Sequence, residues 1–221
     1  MAHVTDPLRV WECDLPAFRC GKANDGGYVV FDAVQPDVFL SGGICGDNSF
    51  ERHALDYWPE LFCSAYDPSD QAGQYPHDRY AFNARKVPDF ASWVGYAKNA
   101  LVKLDIEGDE WPWLEMAPLF RIAQLVVELH SPHLGRWSWP TLAKLAESHC
   151  LVHAHGNNWD GIVDVEGVRV PGTIETTWLR WDLVLDARPN TQPIPGPLDM
   201  PNVPGRADHV LDWAPFVGWE P

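Results

Sequence analysis

The chain has 221 residues, 46% of them hydrophobic and 12% aromatic, with a formal net charge of −15. That length suits one large α/β domain with a well-buried core, and that hydrophobic content excludes a disordered chain. The acidic balance disfavours binding to nucleic acid, which needs a basic footprint, and otherwise reads as a solubility property.

The start, Met1-Ala2-His3-Val4-Thr5-Asp6-Pro7, is polar and carries a proline. No apolar run is long enough to span a bilayer, so a soluble protein with no membrane partner is expected. The five cysteines, Cys13, Cys20, Cys45, Cys63 and Cys150, are odd in number and scattered. They show neither metal-ligand spacing nor a disulfide framework, which fits a reducing cytoplasm.

Residues 1–25 read as an irregular lead-in, followed by a strand-like Tyr28-Val29-Val30-Phe31. Asp37–Ser41 is a short apolar strand ending at Gly42-Gly43. Asp47 or Asn48 then caps a helix running to about Tyr57. Leu61–Tyr66 reads as the next strand, ending at Asp67-Pro68, and Asp78–Ala84 as another. Pro88–Lys98 reads as helix, Leu101–Asp105 as strand, and Asp109–Phe120 as helix with Pro112 early in it, where its missing N–H matters little. Ile122–His130 is a strongly apolar strand, Trp139–His149 a helix, and Cys150–Ala154 a strand. Thr176–Leu185 reads as a long strand in a C-terminal antiparallel pair. This alternation predicts an α/β fold, mostly parallel, with helices on both faces. The domain covers 1–188. The proline-rich segment 189–221 is expected as an extended tail on the same domain, anchored by Trp213, Phe216 and Trp219. Those aromatics could instead form a partner surface.

Polar residues gather where strands end, and in open α/β sheets the C-terminal strand ends are where ligands bind. After the first core strand comes Ser41-Gly42-Gly43-Ile44-Cys45-Gly46-Asp47, whose glycines serve a tight turn or let a ligand approach the backbone. It lacks the lysine ending of a phosphate-cradling loop. Asp67 ends the next strand, either as a turn residue before Pro68 or as an acceptor for ribose hydroxyls. Asp105 and Glu107 stand two apart, so both face one side if the strand continues. Glu128 and His130 repeat that spacing on a strand too apolar to be exposed, where each needs a partner or a metal. His153-Ala154-His155-Gly156-Asn157-Asn158 adds imidazoles suited to base or ligand roles and two amides suited to a polar substrate edge.

Lys103-Leu104-Asp105-Ile106-Glu107-Gly108-Asp109-Glu110-Trp111 resembles the K-x-D-x-E-G-x-E-W signature of the FkbM-type S-adenosylmethionine-dependent methyltransferases. Further blocks follow in the family's order. They are Asn24-Asp25-Gly26-Gly27-Tyr28, Ser41-Gly42-Gly43-Ile44 with Asp47, Ser49, Phe50 and Glu51, Tyr66-Asp67-Pro68-Ser69, Glu128-Leu129-His130, His155-Gly156-Asn157-Asn158 and Pro197–Asn202. The first loop departs from the common G-x-G-x-G form, and Asp109 stands where the family often has a small residue.

The resemblance implies a Rossmann-like class I methyltransferase fold and S-adenosylmethionine as cofactor. It implies that Gly42, Gly43 and Asp47 line the cofactor's amino-acid and ribose portions, that Asp67 takes the ribose hydroxyls, and that Asp105 faces the methionine part. The expected activity is O-methylation of a hydroxyl on a small molecule or glycan, with N-methylation as a variant. His130 is the first candidate base, with Glu128 orienting it, and His155 the second. Asn157 and Asn158 would position the acceptor, and Glu107 would hold its hydroxyls. A divalent cation, Mg²⁺ or Mn²⁺, held by Glu107, Glu128, His130 and His155 is a metal-assisted variant of this site or the mark of a metal-dependent enzyme on the same fold. A degenerate methyltransferase-fold protein that binds a partner is the non-enzymatic alternative.

Overall fold

The computed structural model describes residues 3–69, 75–88, 97–134 and 138–220. Its strands, in chain order, are β1 (Trp11–Glu12), β2 (Ala17–Cys20), β3 (Tyr28–Phe31), β4 (Val38–Gly42), β5 (Cys63–Tyr66), β6 (Tyr80–Asn83), β7 (Ala100–Leu104), β8 (Ile122–His130), β9 (His149–Gly156), β10 (Ile162–Val165), β11 (Val168–Pro171), β12 (Thr173–Arg180) and β13 (Arg188–Pro189). The helices are α1 (Ser49–Tyr57), α2 (Glu110–Met116) and α3 (Ser138–Ser148). The helix expected over Pro88–Lys98 falls largely outside the described residues.

A seven-stranded sheet, in the order β6-β5-β4-β7-β8-β12-β9, is the frame of the molecule. β6, β5, β4, β7 and β8 run parallel, and β12 lies antiparallel between β8 and β9. This order, with its inserted antiparallel strand, is that of the Rossmann-like class I methyltransferase fold. The sheet turns in two directions from β4, towards β5 on one side and β7 on the other, so a topological switch point opens beside β4.

Alternation along the strands produces two apolar faces. Leu40, Val102 and Leu125 stand in register on one face and pack with Leu142 and Leu145 of α3 and Leu114 of α2. Phe39, Leu101 and Val126 point to the other, against Phe50, Ala54 and Leu55 of α1. Helices therefore cover both faces. α1 starts at Ser49 after Asn48, and α2 ends at Met116, where Ala117 turns extended before Pro118.

The lead-in is more regular than expected. β2 and β3 form an antiparallel hairpin, and buried Gln124 fastens it to the sheet by accepting from Phe31 N at 2.7 Å and donating to Phe31 O at 3.1 Å. β1 pairs with β13 of the tail. The last long strand starts earlier and stops earlier than expected, because Trp181–Leu183 winds into a 3₁₀ turn. Unforeseen in the sequence is the β10–β11 hairpin, turned by Glu166 (φ +53°) and Gly167 (φ +89°). Val165-Glu166-Gly167-Val168 carries the sign of it, two apolar residues flanking a pair that ends in glycine. Phe216 is fully buried, and Trp219 donates from Nε1 to Val10 O at 2.8 Å. Among the described residues no helix is long and apolar enough to cross a membrane.

Candidate functional site

At the switch point the chain turns out of β4 through Gly43 (φ +78°), Cys45 (φ +46°) and Gly46 (φ +78°). A Cβ on Gly43 would lie 1.6 Å from Asp105 O, so only glycine lets this loop lie against the end of β7. Asp67, at the end of β5, holds the loop from the other side. Its Oδ2 accepts from Ile44 N at 2.9 Å and Cys45 N at 2.7 Å, and its Oδ1 accepts from Ser69 N at 2.7 Å. Burial opposes ionisation of Asp67, but hydrogen bonds from Ser69, Cys45 and Ile44 outweigh it and hold its pKa below the usual carboxylate range. Buried Lys103 donates to Gly43 O at 2.6 Å. A cleft of about 680 Å³ opens here, with Gly43, Asp67, Asp105 and Glu107 in its wall.

Two residues expected to meet a cofactor lie elsewhere. Gly42 is beneath the cleft, and a Cβ there would strike Val87 Cγ2 at 2.4 Å. Asp47 is already engaged, with Oδ1 accepting from Ser49 N at 3.0 Å and Oδ2 paired with Lys22 Nζ at 2.7 Å. It serves the start of α1 and does not line the cleft.

Beyond β7 the site continues on the same sheet face. Asp105 Oδ2 accepts from Tyr28 Oη at 2.9 Å and lies 4.0 Å from Lys103 Nζ. Burial opposes its charge, yet Lys103, Glu128 and Tyr28 override that and keep its pKa low. Glu128 is displaced the other way, well above the usual range, by burial and by the charges of Asp105 and Glu175. Asp105 and Glu128 are therefore pushed in opposite directions by the same neighbourhood. Its Oε1 accepts from Asn157 Nδ2 at 2.6 Å.

His130 ends β8, and the Glu110-Trp111 pair that opens α2 clamps its backbone. Glu110 Oε1 accepts from His130 N at 2.8 Å, and Trp111 Nε1 donates to His130 O at 2.9 Å. The turn that brings this pair back runs through Glu107 (φ +57°) and Gly108 (φ +100°), and Gly108 N is tied to Glu110 Oε2 at 2.7 Å. The imidazole Nδ1 lies 3.3 Å from Glu110 Oε1 without an aligned hydrogen bond. Nε2 faces Glu107 Oε2 at 3.4 Å, Glu128 Oε2 at 3.7 Å and Asp105 Oδ1 at 4.0 Å. Burial would lower the pKa of His130, but Glu110, Asp105 and Glu107 raise it. Glu110 thus lies on the Nδ1 side of the ring and holds the His130 backbone, while Glu128, expected to orient the ring, sits on the open Nε2 side.

His155 does not join this group. β12 lies between β8 and β9, which sets His155 two strand spacings, about 10 Å, from Glu128 and farther still from His130. It is fully buried, with Nδ1 2.9 Å from Glu175 Oε2 and Nε2 3.0 Å from both oxygens of Asp208. Burial alone would lower its pKa, but Asp208 and Glu175 push it up to about 10. An imidazole with both nitrogens committed to carboxylates neither accepts a substrate proton nor binds the metal expected of it.

The amides divide similarly. Asn157 reaches Glu128, and its Oδ1 accepts from Trp159 N at 2.9 Å. Asn158 turns to the tail, accepting from Val203 N at 2.8 Å and donating towards Val203 O at 3.3 Å. It fastens chain and does not face the cleft. Nearby, Asn202 Nδ2 donates to Glu175 Oε1 at 2.6 Å, and His153 Nε2 lies 2.8 Å from Asp199 Oδ1. The tail is thus strapped over the ends of β9 and β12. Tyr28, Lys103, Glu110 and Glu175 were given no part by sequence reasoning. Tyr28, Lys103 and Glu110 stand inside the quoted motifs, and Glu175 is the lone acid in the buried strand β12, where it needs a partner.

No protein-family model and no curated protein matches the chain. Among solved structures it is similar to a chain of the fibrillarin/Nop5p complex, at 10% identity over 66% of this chain and 73% of that one, with a TM-score of 0.43. It is similar to the antibiotic-resistance methyltransferase Kmr at 16% identity, over 75% of this chain and 100% of that one, with a TM-score of 0.39. TrmN from Thermus thermophilus aligns at 12% identity over 65% of this chain and 43% of that one, with a TM-score of 0.36. Likeness at this level assigns no activity to the chain.

Proposed function

We propose that the protein is an S-adenosylmethionine-dependent methyltransferase acting on a hydroxyl of a small molecule or glycan. The observation that carries this reading is the cleft at the switch point, walled by Gly43, Asp67 and Asp105. The residues fit the cofactor. Gly43 lets the loop lie against the end of β7, where a Cβ would strike the Asp105 backbone, and so draws the two sides of the cleft together. Asp67 keeps a carboxylate at the edge of β5, held partly by the Ser69 hydroxyl, a rotatable donor that a ribose hydroxyl can replace. Asp105 maintains negative charge at the end of β7, which suits a cationic group. When bound, S-adenosylmethionine supplies an electrophilic methyl group on a sulfonium.

The chain's part is to align an acceptor and take its proton. His130 is the base in this reading, held by Glu110 and Trp111 with Nε2 towards the cleft side. Asn157 shapes the acceptor side through Glu128, and Glu107, largely exposed at the rim, offers an acceptor for incoming hydroxyls. The net charge of −15 argues against a nucleic-acid acceptor. The tryptophans give little support to a partner-binding surface. Trp11 packs edge to face against both Trp181 and Trp219, and Trp159 is the exposed one among the described residues.

S-adenosylhomocysteine is the direct probe. At about 100 times its Kd it should stabilise the fold by about 2.7 kcal/mol, raising Tm by roughly 5–10 °C for a chain of this length. An unchanged Tm at millimolar ligand, with no heat of binding, would remove the cofactor reading.

A further inference from the structure

Around His130 Nε2 three carboxylate oxygens stand at 3.4, 3.7 and 4.0 Å, contributed by Glu107, Glu128 and Asp105. The ligand-capable atoms of Asp105, Glu128 and His130 all lie within 4.8 Å of one another. These separations run from the limit of a hydrogen bond to well beyond it. They approach those of donors sharing one ion, which lie about 3.0–3.7 Å apart when each bond is about 2.1–2.3 Å.

The second observation is how each group is held from behind. Asp105 gives Oδ2 to Tyr28 and leaves Oδ1 facing the gap. Glu128 gives Oε1 to Asn157 and leaves Oε2 facing it. His130 turns Nδ1 to Glu110 and Nε2 to the gap. Carboxylate behind imidazole, and donors behind carboxylates, is the outer-shell pattern that fixes metal ligands. The nearby fixed cation, Lys103, is directed to Gly43 O and to the far oxygen of Asp105.

We propose that Asp105, Glu128 and His130 form a binding site for a divalent cation, with Glu107 completing it from the rim. A set of carboxylates with one imidazole accommodates Mn²⁺, since a carboxylate-rich donor set suits it. The site rests on this geometry alone and holds whether or not the cleft takes S-adenosylmethionine. With an ion bound, His130 is a ligand and no longer a free base. An acceptor hydroxyl is then oriented and acidified by the ion.

The test is Mn²⁺ uptake by the full chain after chelator treatment, followed through loss of the free-ion EPR signal. One ion per chain is expected, with nitrogen coupling from an imidazole in the pulsed spectrum. Asp105→Asn and Glu128→Gln should each weaken uptake at least tenfold. Glu107→Gln should weaken it a few-fold, and Glu60→Gln, remote and exposed, should leave it unchanged. His130→Gln should abolish the nitrogen coupling. Absence of saturable uptake by the wild-type chain up to about 1 mM, or uptake without nitrogen coupling, overturns the site. Both of these results come from the wild-type protein, so they stand even if a variant folds poorly.

Discussion

His130 and His155 occupy the same face of one sheet, each ringed by acids, and their surroundings differ in closure. His155 is fully buried, and its nitrogens meet Glu175 and Asp208 at 2.9–3.0 Å. His130 keeps 19% of its side chain exposed, and its carboxylates stand off at 3.3–4.0 Å. Counting acids near a histidine would rank the two alike. Distance and exposure separate them: one is a finished ion-pair network that fastens the tail, and the other is an open arrangement that has room for a proton, an ion or a substrate group.

Replacing His155 with Leu should have the largest effect on stability. It leaves buried Glu175 and half-buried Asp208 without their cation, which costs about 3–5 kcal/mol. Urea unfolding monitored by tryptophan fluorescence measures this. A loss below about 1 kcal/mol would mean that His155 does not hold the strap.

Alkaline pH should break the same cluster without mutation. The folded pKa of His155 is raised to about 10, from 6.5 for an ordinary imidazole. Its contribution is therefore complete below the unfolded value and is lost as pH rises through the folded one. Tm of the wild-type protein should fall over that window, and this part of the fall should be missing in His155→Leu. Parallel Tm profiles for the two proteins would contradict the assignment.

His130→Ala should give the smallest effect on stability and a large one on turnover. Its Nδ1 has no aligned partner, so removal of the ring should shift unfolding by no more than about 1 kcal/mol. Methyl transfer should fall about 10²–10⁴-fold. A variant that keeps the full transfer rate would take His130 out of the chemistry, and one that unfolds would show it to be structural like His155.

Much of this arrangement is legible in the chain. The apolar strands Tyr28–Phe31 and Ile122–His130 are found at their sequence-read bounds, because continuous hydrophobic runs mark buried strands. The two-residue spacing of Glu128 and His130 places them on one face of β8 by the geometry of a strand. The Glu-Gly-Asp-Glu-Trp run announces a turn, but not that Glu110 and Trp111 return to grip His130 from both sides. That depends on where α2 lands against β8. Asp47 shows the same limit. It sits in a glycine-rich turn that could face a ligand, and Lys22 from the β2–β3 connection claims it.

The amino-acid order by itself determined which residues are polar at strand ends and which strands are apolar enough to be buried, since period and composition are local properties. Tertiary structure decided which of those ends meet. By inserting β12 between β8 and β9, the sheet brings Glu175 into register with both Glu128 and His155. That single antiparallel strand gives His155 its Glu175 partner, the tail adds Asp208, and His130 is left open; no local spacing encodes this, because strand neighbours are chosen by packing across the whole sheet.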